Sequence, residues 1–138
     1  MRTVGFNFSK ISIEKFSDKI DKLKIKTNID ISDISSVENV LLKTKNSIIS
    51  VKFIYIIDYD PHFAKIELSG NILFEIEEDL AKEIIKNWKN KTIPEDFKLV
   101  LFNTILRKSN VKSLQLEDDM NLPLHISLPS LKKAEKTD

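Results

Sequence analysis

The sequence predicts an α+β fold, a four-stranded antiparallel sheet followed by two helices and an extended C-terminal segment, and three observations carry that prediction. The stretch Ser47–Glu77 reads as two long strands folded back on each other. Its first half, Ile48 to Ile57, is largely β-branched and aromatic, and its second half places Ala64, Ile66, Leu68, Gly70, Ile72, Phe74 and Ile76 on one parity. Lys65, Glu67, Ser69, Asn71, Glu75 and Glu77 stand on the other, with Leu73 the one apolar exception, so one face is dry and the other mostly wet. Two shorter alternating stretches precede this hairpin. From Glu78 onward the apolar spacing becomes helical.

In chain order, Val4, Phe6 and Phe8 alternate, and Ile11 and Ile13 continue on the opposite parity. The switch at Ser9-Lys10 predicts a β-bulge that keeps both halves on one face. Glu14 to Lys22 reads as a short polar connection carrying Phe16 and Ile20. A second strand follows, with Leu23, Ile25, Thr27, Ile29 and Ile31 against Lys24, Lys26, Asn28 and Asp30. Ser32 to Asn39 reads as a loop or turn, and Val40-Leu41-Leu42 takes no assignment. In the hairpin itself, Asp58-Tyr59-Asp60-Pro61-His62 reads as a polar turn whose proline falls where no ladder donor is needed.

Leu80, Ala81, Ile84, Ile85 and Trp88 form one helical stripe, with Glu78/Lys82 and Glu83/Lys86 on the outer side. The acidic start, Glu77-Glu78-Asp79, and the basic and polar end, Asn87 to Lys91, suit the helix dipole. Thr92-Ile93-Pro94-Glu95 then reads as a capping box opening a second helix from Ile93 to Ser109. Phe97, Leu99, Val100, Leu101, Phe102, Ile105 and Leu106 cover most of its circumference. A chain of 138 residues has little protein with which to cover such a helix, so Leu99, Val100, Phe102, Ile105 and Leu106 are expected at a subunit interface. Leu122, Leu124, Ile126 and Leu128 alternate between Met120 and Pro129, an edge strand or packed loop by virtue of Pro123 and Pro129. Residues 132–138 read as a charged, mobile tail.

Composition narrows the function classes. With 22 basic and 21 acidic residues the formal net charge is +1, so no overall field attracts nucleic acid or an anionic membrane. Lys19, Lys22, Lys24 and Lys26 form the densest basic cluster, but Asp18, Asp21 and Asp30 dilute it. The absence of cysteine excludes a disulfide and a thiolate metal site. Neither a signal peptide nor a membrane-spanning run is present, so the expectation is one cytoplasmic domain over residues 1–138. Asp58, Asp60 and His62 offer metal-ligand chemistry, but turn chemistry explains them as well. His125 lies on the wet parity of its segment with no nucleophile or acid pair near it in sequence, and Trp88 belongs to the apolar stripe. Gly5 and Gly70 cannot build a phosphate loop, and no nucleotide or metalloprotease motif occurs. The expectation is a non-enzyme without cofactors.

Taken together, Phe8 to Glu14, Lys24 to Asp30, the hairpin with Gly70-Asn71-Ile72-Leu73-Phe74-Glu75-Ile76, the helix with Leu101 to Arg107, and Leu122-Pro123-Leu124 resemble the SecB family of export chaperones in order and spacing. The resemblance covers roughly residues 4 to 130. It implies a homotetramer assembled as a dimer of dimers through the sheets and the long helix, with apolar grooves that hold unfolded polypeptide. Carried over by position, it makes Leu122, Leu124, Ile126 and Leu128 a groove-lining segment and puts Phe16 and Ile20 in another groove wall. The family's acidity, by which classical members dock the SecA motor, is missing here, because Lys24, Lys26, Lys52 and Lys65 balance Glu67, Glu75 and Glu77. The alternative reading is a structural or adaptor domain that uses the same helix to oligomerise or to dock one folded partner.

Overall fold

The computed structural model describes residues 1–19, 21–38 and 46–133. Its elements are β1 (Arg2–Lys15), β2 (Lys24–Val37), β3 (Asn46–Asp60), β4 (Ala64–Glu77), α1 (Glu78–Trp88) and α2 (Glu95–Asp119). The four strands form one antiparallel sheet in the order β1-β4-β3-β2, so β2, β3 and β4 follow one another as a meander and β1 returns to lie beside β4. This is a Greek key, and the expected α+β architecture of sheet followed by two helices is what the chain adopts.

The β3/β4 register explains the dry face. Ile49 stands opposite Phe74, Val51 opposite Ile72, Phe53 opposite Gly70, Tyr55 opposite Leu68, Ile57 opposite Ile66 and Tyr59 opposite Ala64. All twelve are buried, and they form the floor of the core. The other face stays polar: Ser50 donates to Asn71 Oδ1 at 2.6 Å, Arg2 pairs with Glu75 at 2.5 Å, and Lys10 pairs with Glu67. Arg2 and Lys10 hold the carboxyls of Glu75 and Glu67 below the ordinary range. Their contribution is therefore present above the ordinary glutamate pKa and is lost as pH falls through the lowered one.

β1 shifts register between Phe8 and Lys10, which is the bulge predicted at Ser9-Lys10, and shifts again between Thr3 and Gly5. β2 departs from expectation. It continues through Ser32 to Val37 with an irregularity between Ile31 and Asp33. The parity change that read as the end of the strand is a bulge, after which Ile34 returns to the inner face opposite Val51 and is buried. Ile20 and Val40-Leu41-Leu42 lie outside the described residues.

The longest departure is α2, which runs ten residues past the expected end at Ser109. Its buried positions are Phe97, Leu101, Ile105, Ser109, Ser113 and Glu117, one every fourth residue. The apolar signal stops at Ile105 while the buried stripe continues in polar residues. Phe97 packs edge-to-face on Phe74 at 5.3 Å near one end of β3, and Glu117 meets Tyr59 near the other. The lengths agree: twenty helical residues advance ~30 Å and ten strand residues ~33 Å. The predicted capping box does not form. Pro94 occupies the N-cap, and Thr92 donates its hydroxyl to the Asn87 carbonyl at 3.0 Å, tying the interhelical turn to α1.

Gly70 is where β1, β4 and the Phe53 ring crowd together. A methyl group there would run into the Asn7 carbonyl oxygen and meet the ring at 3.0 Å, whereas one at Gly5 has ordinary contact with Leu73 at 3.4 Å. Gly70→Ala is therefore expected to destabilise by about 1–3 kcal/mol through overpacking. Gly5→Ala should stay within about 0.5 kcal/mol of the parent in urea unfolding.

Candidate functional site

Two tyrosines on the inner face of β3 set the chemistry of the core's far end. Tyr55 and Tyr59 are buried, so their hydroxyls need partners inside the protein. The polar half of α2 supplies them: Tyr55 donates to Asn110 Oδ1 at 2.7 Å, and Tyr59 donates to Glu117 Oε2. Burial pushes the Tyr55 phenol up to about 12. Tyr59 is pushed up as well, by burial and by its hydrogen bond to the Glu117 carboxylate. Neither phenol is a base at neutral pH.

The chain then turns back on α2. Asn121 takes a left-handed φ of 54°, Leu122 N–H donates to the Glu117 carbonyl at 2.8 Å, and Asn121 N–H donates to Asp118 at 3.3 Å. This is a Schellman closure with asparagine in the residue position that favours positive φ. It drives Leu122 into the core at 5% exposure. Three residues on, His125 docks against Glu117, its backbone N–H at 3.0 Å from Oε2 and its Nδ1 at 2.6 Å from Oε1. His125 Nε2 lies 3.0 Å from Asn110 Oδ1 and 3.3 Å from the Tyr55 hydroxyl, so both ring nitrogens have polar partners inside the protein. The Glu117 side chain is 0% exposed and that of His125 3%. His125 therefore does not lie on a wet face. The alternation of the segment breaks here because the closure rotates the chain and the buried carboxylate attracts the ring. The contacts of this pair are with groups of its own chain, and its chemistry is that of a clamp.

Beyond the clamp the segment opens to solvent. Leu124, Ile126 and Leu128 are 37%, 38% and 55% exposed, so three of the four groove residues expected here are accessible and Leu122 belongs to the core. Phe16, in the crossover from β1 to β2, is partly exposed and stacks on His62 with ring centroids 4.3 Å apart. Its N–H donates to the Phe63 carbonyl at 2.8 Å, fastening the crossover over the hairpin tip. The expected polar turn is shorter than predicted: β3 reaches Asp60, Tyr59 points into the core and Asp60 lies 3.9 Å from Lys26. Among the described residues, no group of three or more His, Asp or Glu is arranged to hold a metal ion.

α2 is flanked by a groove on each side. Towards β2, about 580 Å³ is bounded by Ile29, Ile31, Trp88, Ile93 and Phe102 with Asp30, Lys91, Glu95 and Lys98. Towards β1, two adjoining hollows of about 440 and 360 Å³ share Arg107 and Lys108. Of the five residues expected at a subunit interface, Leu99 is exposed at 65% and Val100 less so, while Phe102 and Leu106 are half-buried against the core. Ile105 is covered completely by its own chain, because it continues the stripe of Phe97 and Leu101, so it is a core residue. Among the described residues no helix is long and apolar enough to cross a membrane. Compared with known protein families, curated proteins and solved structures, the chain finds no match in any of the three.

Removing either partner leaves the enclosed Glu117 carboxyl, or the groups that donate to it, uncompensated. Glu117→Ala and His125→Ala are each expected to lower unfolding free energy by about 3–5 kcal/mol. Tyr59→Phe, which removes one donor from the carboxylate, should cost about 1–3 kcal/mol. Urea unfolding of the three variants checks the order, and a His125→Ala variant as stable as the parent would show that the clamp carries no load.

Proposed function

We propose that the chain is a SecB-like holdase, a binding protein without a chemical step that captures unfolded polypeptide on exposed apolar surface. The observation that carries this reading is a segment clamped at Leu122 and His125 whose Leu124, Ile126 and Leu128 nonetheless stay open to solvent. Apolar side chains left in water on and directly after an anchored backbone, next to a core, favour a binding role over a packing role. The groove between α2 and β2 adds Trp88 and Phe102 as a second apolar surface of a size that takes side chains of an extended chain. Leu99 and Val100, on the outer side of α2, favour assembly through that helix.

The protein is expected to suppress aggregation of a slowly folding substrate at near-stoichiometric ratio. Leu124→Ser and Leu128→Ser, alone or with Phe16→Ser, should each weaken capture by roughly 1–2 kcal/mol with little change in melting temperature. Leu122→Ser should do the reverse, lowering the melting temperature by opening the core. Thermal melts beside a peptide titration separate the two, and stable surface variants with undiminished binding would overturn the assignment.

Assembly through α2 is tested independently. Leu99→Asp is expected to convert a dimer or tetramer to a smaller species in sedimentation velocity, since a charge buried in an apolar interface without a partner is costly. A parent protein that sediments as a monomer at micromolar concentration would remove the interface.

A further inference from the structure

The two grooves beside α2 differ in charge. The β2-side groove carries Lys91 and Lys98 together with Asp30 and Glu95, so its cations and carboxylates balance. The β1-side hollows are lined by Thr3, Phe6, Phe8, Val100, Asn103, Thr104, Arg107, Lys108, Val111, Lys112 and Gln115, with three cations and no carboxylate. Among the described residues none of Arg107, Lys108 and Lys112 forms an ion pair. The overall charge of the chain is +1, so this excess is local to the groove.

The floor of the groove is apolar. Phe6 and Phe8 meet edge-to-face at 5.0 Å and both lean on Phe53, while Lys108 lies 5.8 Å from the Phe6 ring centre. Part of each ring is already engaged, with its neighbour, with Phe53 or with the lysine, so neither ring stands out as a free stacking platform for nucleic-acid bases. What remains available is ring edge, the methyl groups of Val100 and Val111, and a row of cations along one helix flank. Arg107, Lys108 and Lys112 fall on neighbouring positions of successive turns, so the charges follow the groove.

We propose that this β1-side groove binds acidic polypeptide segments, in which Asp or Glu residues are interspersed with large apolar ones, in extended form. Carboxylates answer Arg107, Lys108 and Lys112, and the apolar side chains cover Phe6, Phe8 and Val111. The inference rests on the holdase reading in taking the ligand to be polypeptide, and it adds a client class and a site which that reading does not specify. Val100 is also a candidate subunit contact, and the cationic part of the groove lies beyond it along α2.

The test uses dansyl-labelled peptides with the same apolar residues, separated by Glu, by Lys or by Ser, together with a single-stranded oligonucleotide, each titrated into the full chain. The acidic peptide is expected to bind about tenfold more tightly than the lysine peptide, as three exposed charge pairs allow. The advantage should largely vanish at 1 M salt, where the screening length falls to about 3 Å. Arg107→Gln/Lys108→Gln/Lys112→Gln should abolish the preference while leaving binding of the serine peptide intact, and Lys112→Glu alone should reduce it. Equal affinity for the acidic and lysine peptides would overturn the groove assignment and leave the holdase reading standing. Failure of all three peptides to bind would overturn both. Tighter binding of the oligonucleotide than of the acidic peptide would overturn it in favour of a nucleic-acid surface.

Discussion

The carboxylate of Glu117 is fully enclosed, and much of the molecule is arranged so that it can be. An ionised group taken out of water without partners costs far more than a fold can spare. Here its donors come from two separate parts of the chain: the Tyr59 hydroxyl from β3, and the His125 backbone N–H and ring from the segment after α2. One charge therefore joins sheet, long helix and C-terminal segment. The Tyr59 hydroxyl also lies 3.0 Å from the Pro123 carbonyl, which closes the connection on the segment side. The arrangement is not free of cost, because the hydroxyls of Ser109 and Ser113 are buried on the same stripe without a hydrogen-bond partner among the described residues.

Apolar alternation was enough to find the inner faces of β3 and β4, the bulge in β1 and the stripe of α1. It failed wherever buried positions are polar or a bulge changes parity. In β2 the alternation stops at Ser32 because the bulge places Ile34 on the wrong parity for a regular strand. In α2 the apolar spacing does not carry past Ser109 because the buried stripe turns from Ile105 to Ser109, Ser113 and Glu117, residues whose polarity suits solvent. Two signals were nevertheless present. Asn121 followed by Leu122-Pro123 is a helix stop, which places the end of α2 ten residues later. Tyr55 and Tyr59 sit on the dry parity of β3, and two buried phenols four residues apart require polar partners from whatever packs above them.

The same constraint shapes the surface. The Schellman closure and the His125 clamp fix the backbone of the segment at two points, so Leu124 is presented between anchors and Ile126 and Leu128 follow directly on the second. Preordering of this kind reduces the entropy lost when another chain binds, which favours weak, sequence-tolerant contacts. On the other side of the molecule the uncovered sheet face mixes polar pairs such as Ser50 with Asn71 and Lys10 with Glu67 with the half-buried Ile54, Ile56 and Leu73. Exposed apolar groups line α2 and the segment that follows it, with others along β1 and at Phe16 and Val37.

The most direct check of this account is a methyl-resolved NMR titration with an unfolded polypeptide, reading the anchored strip and the core in one spectrum. The account predicts shifts at Leu124, Ile126 and Leu128 while Leu122 and Ile105 keep their positions, because the client covers the open face and the clamp stays closed. Concerted shifts of Leu122 and Ile105, or none at the three exposed residues, would contradict it.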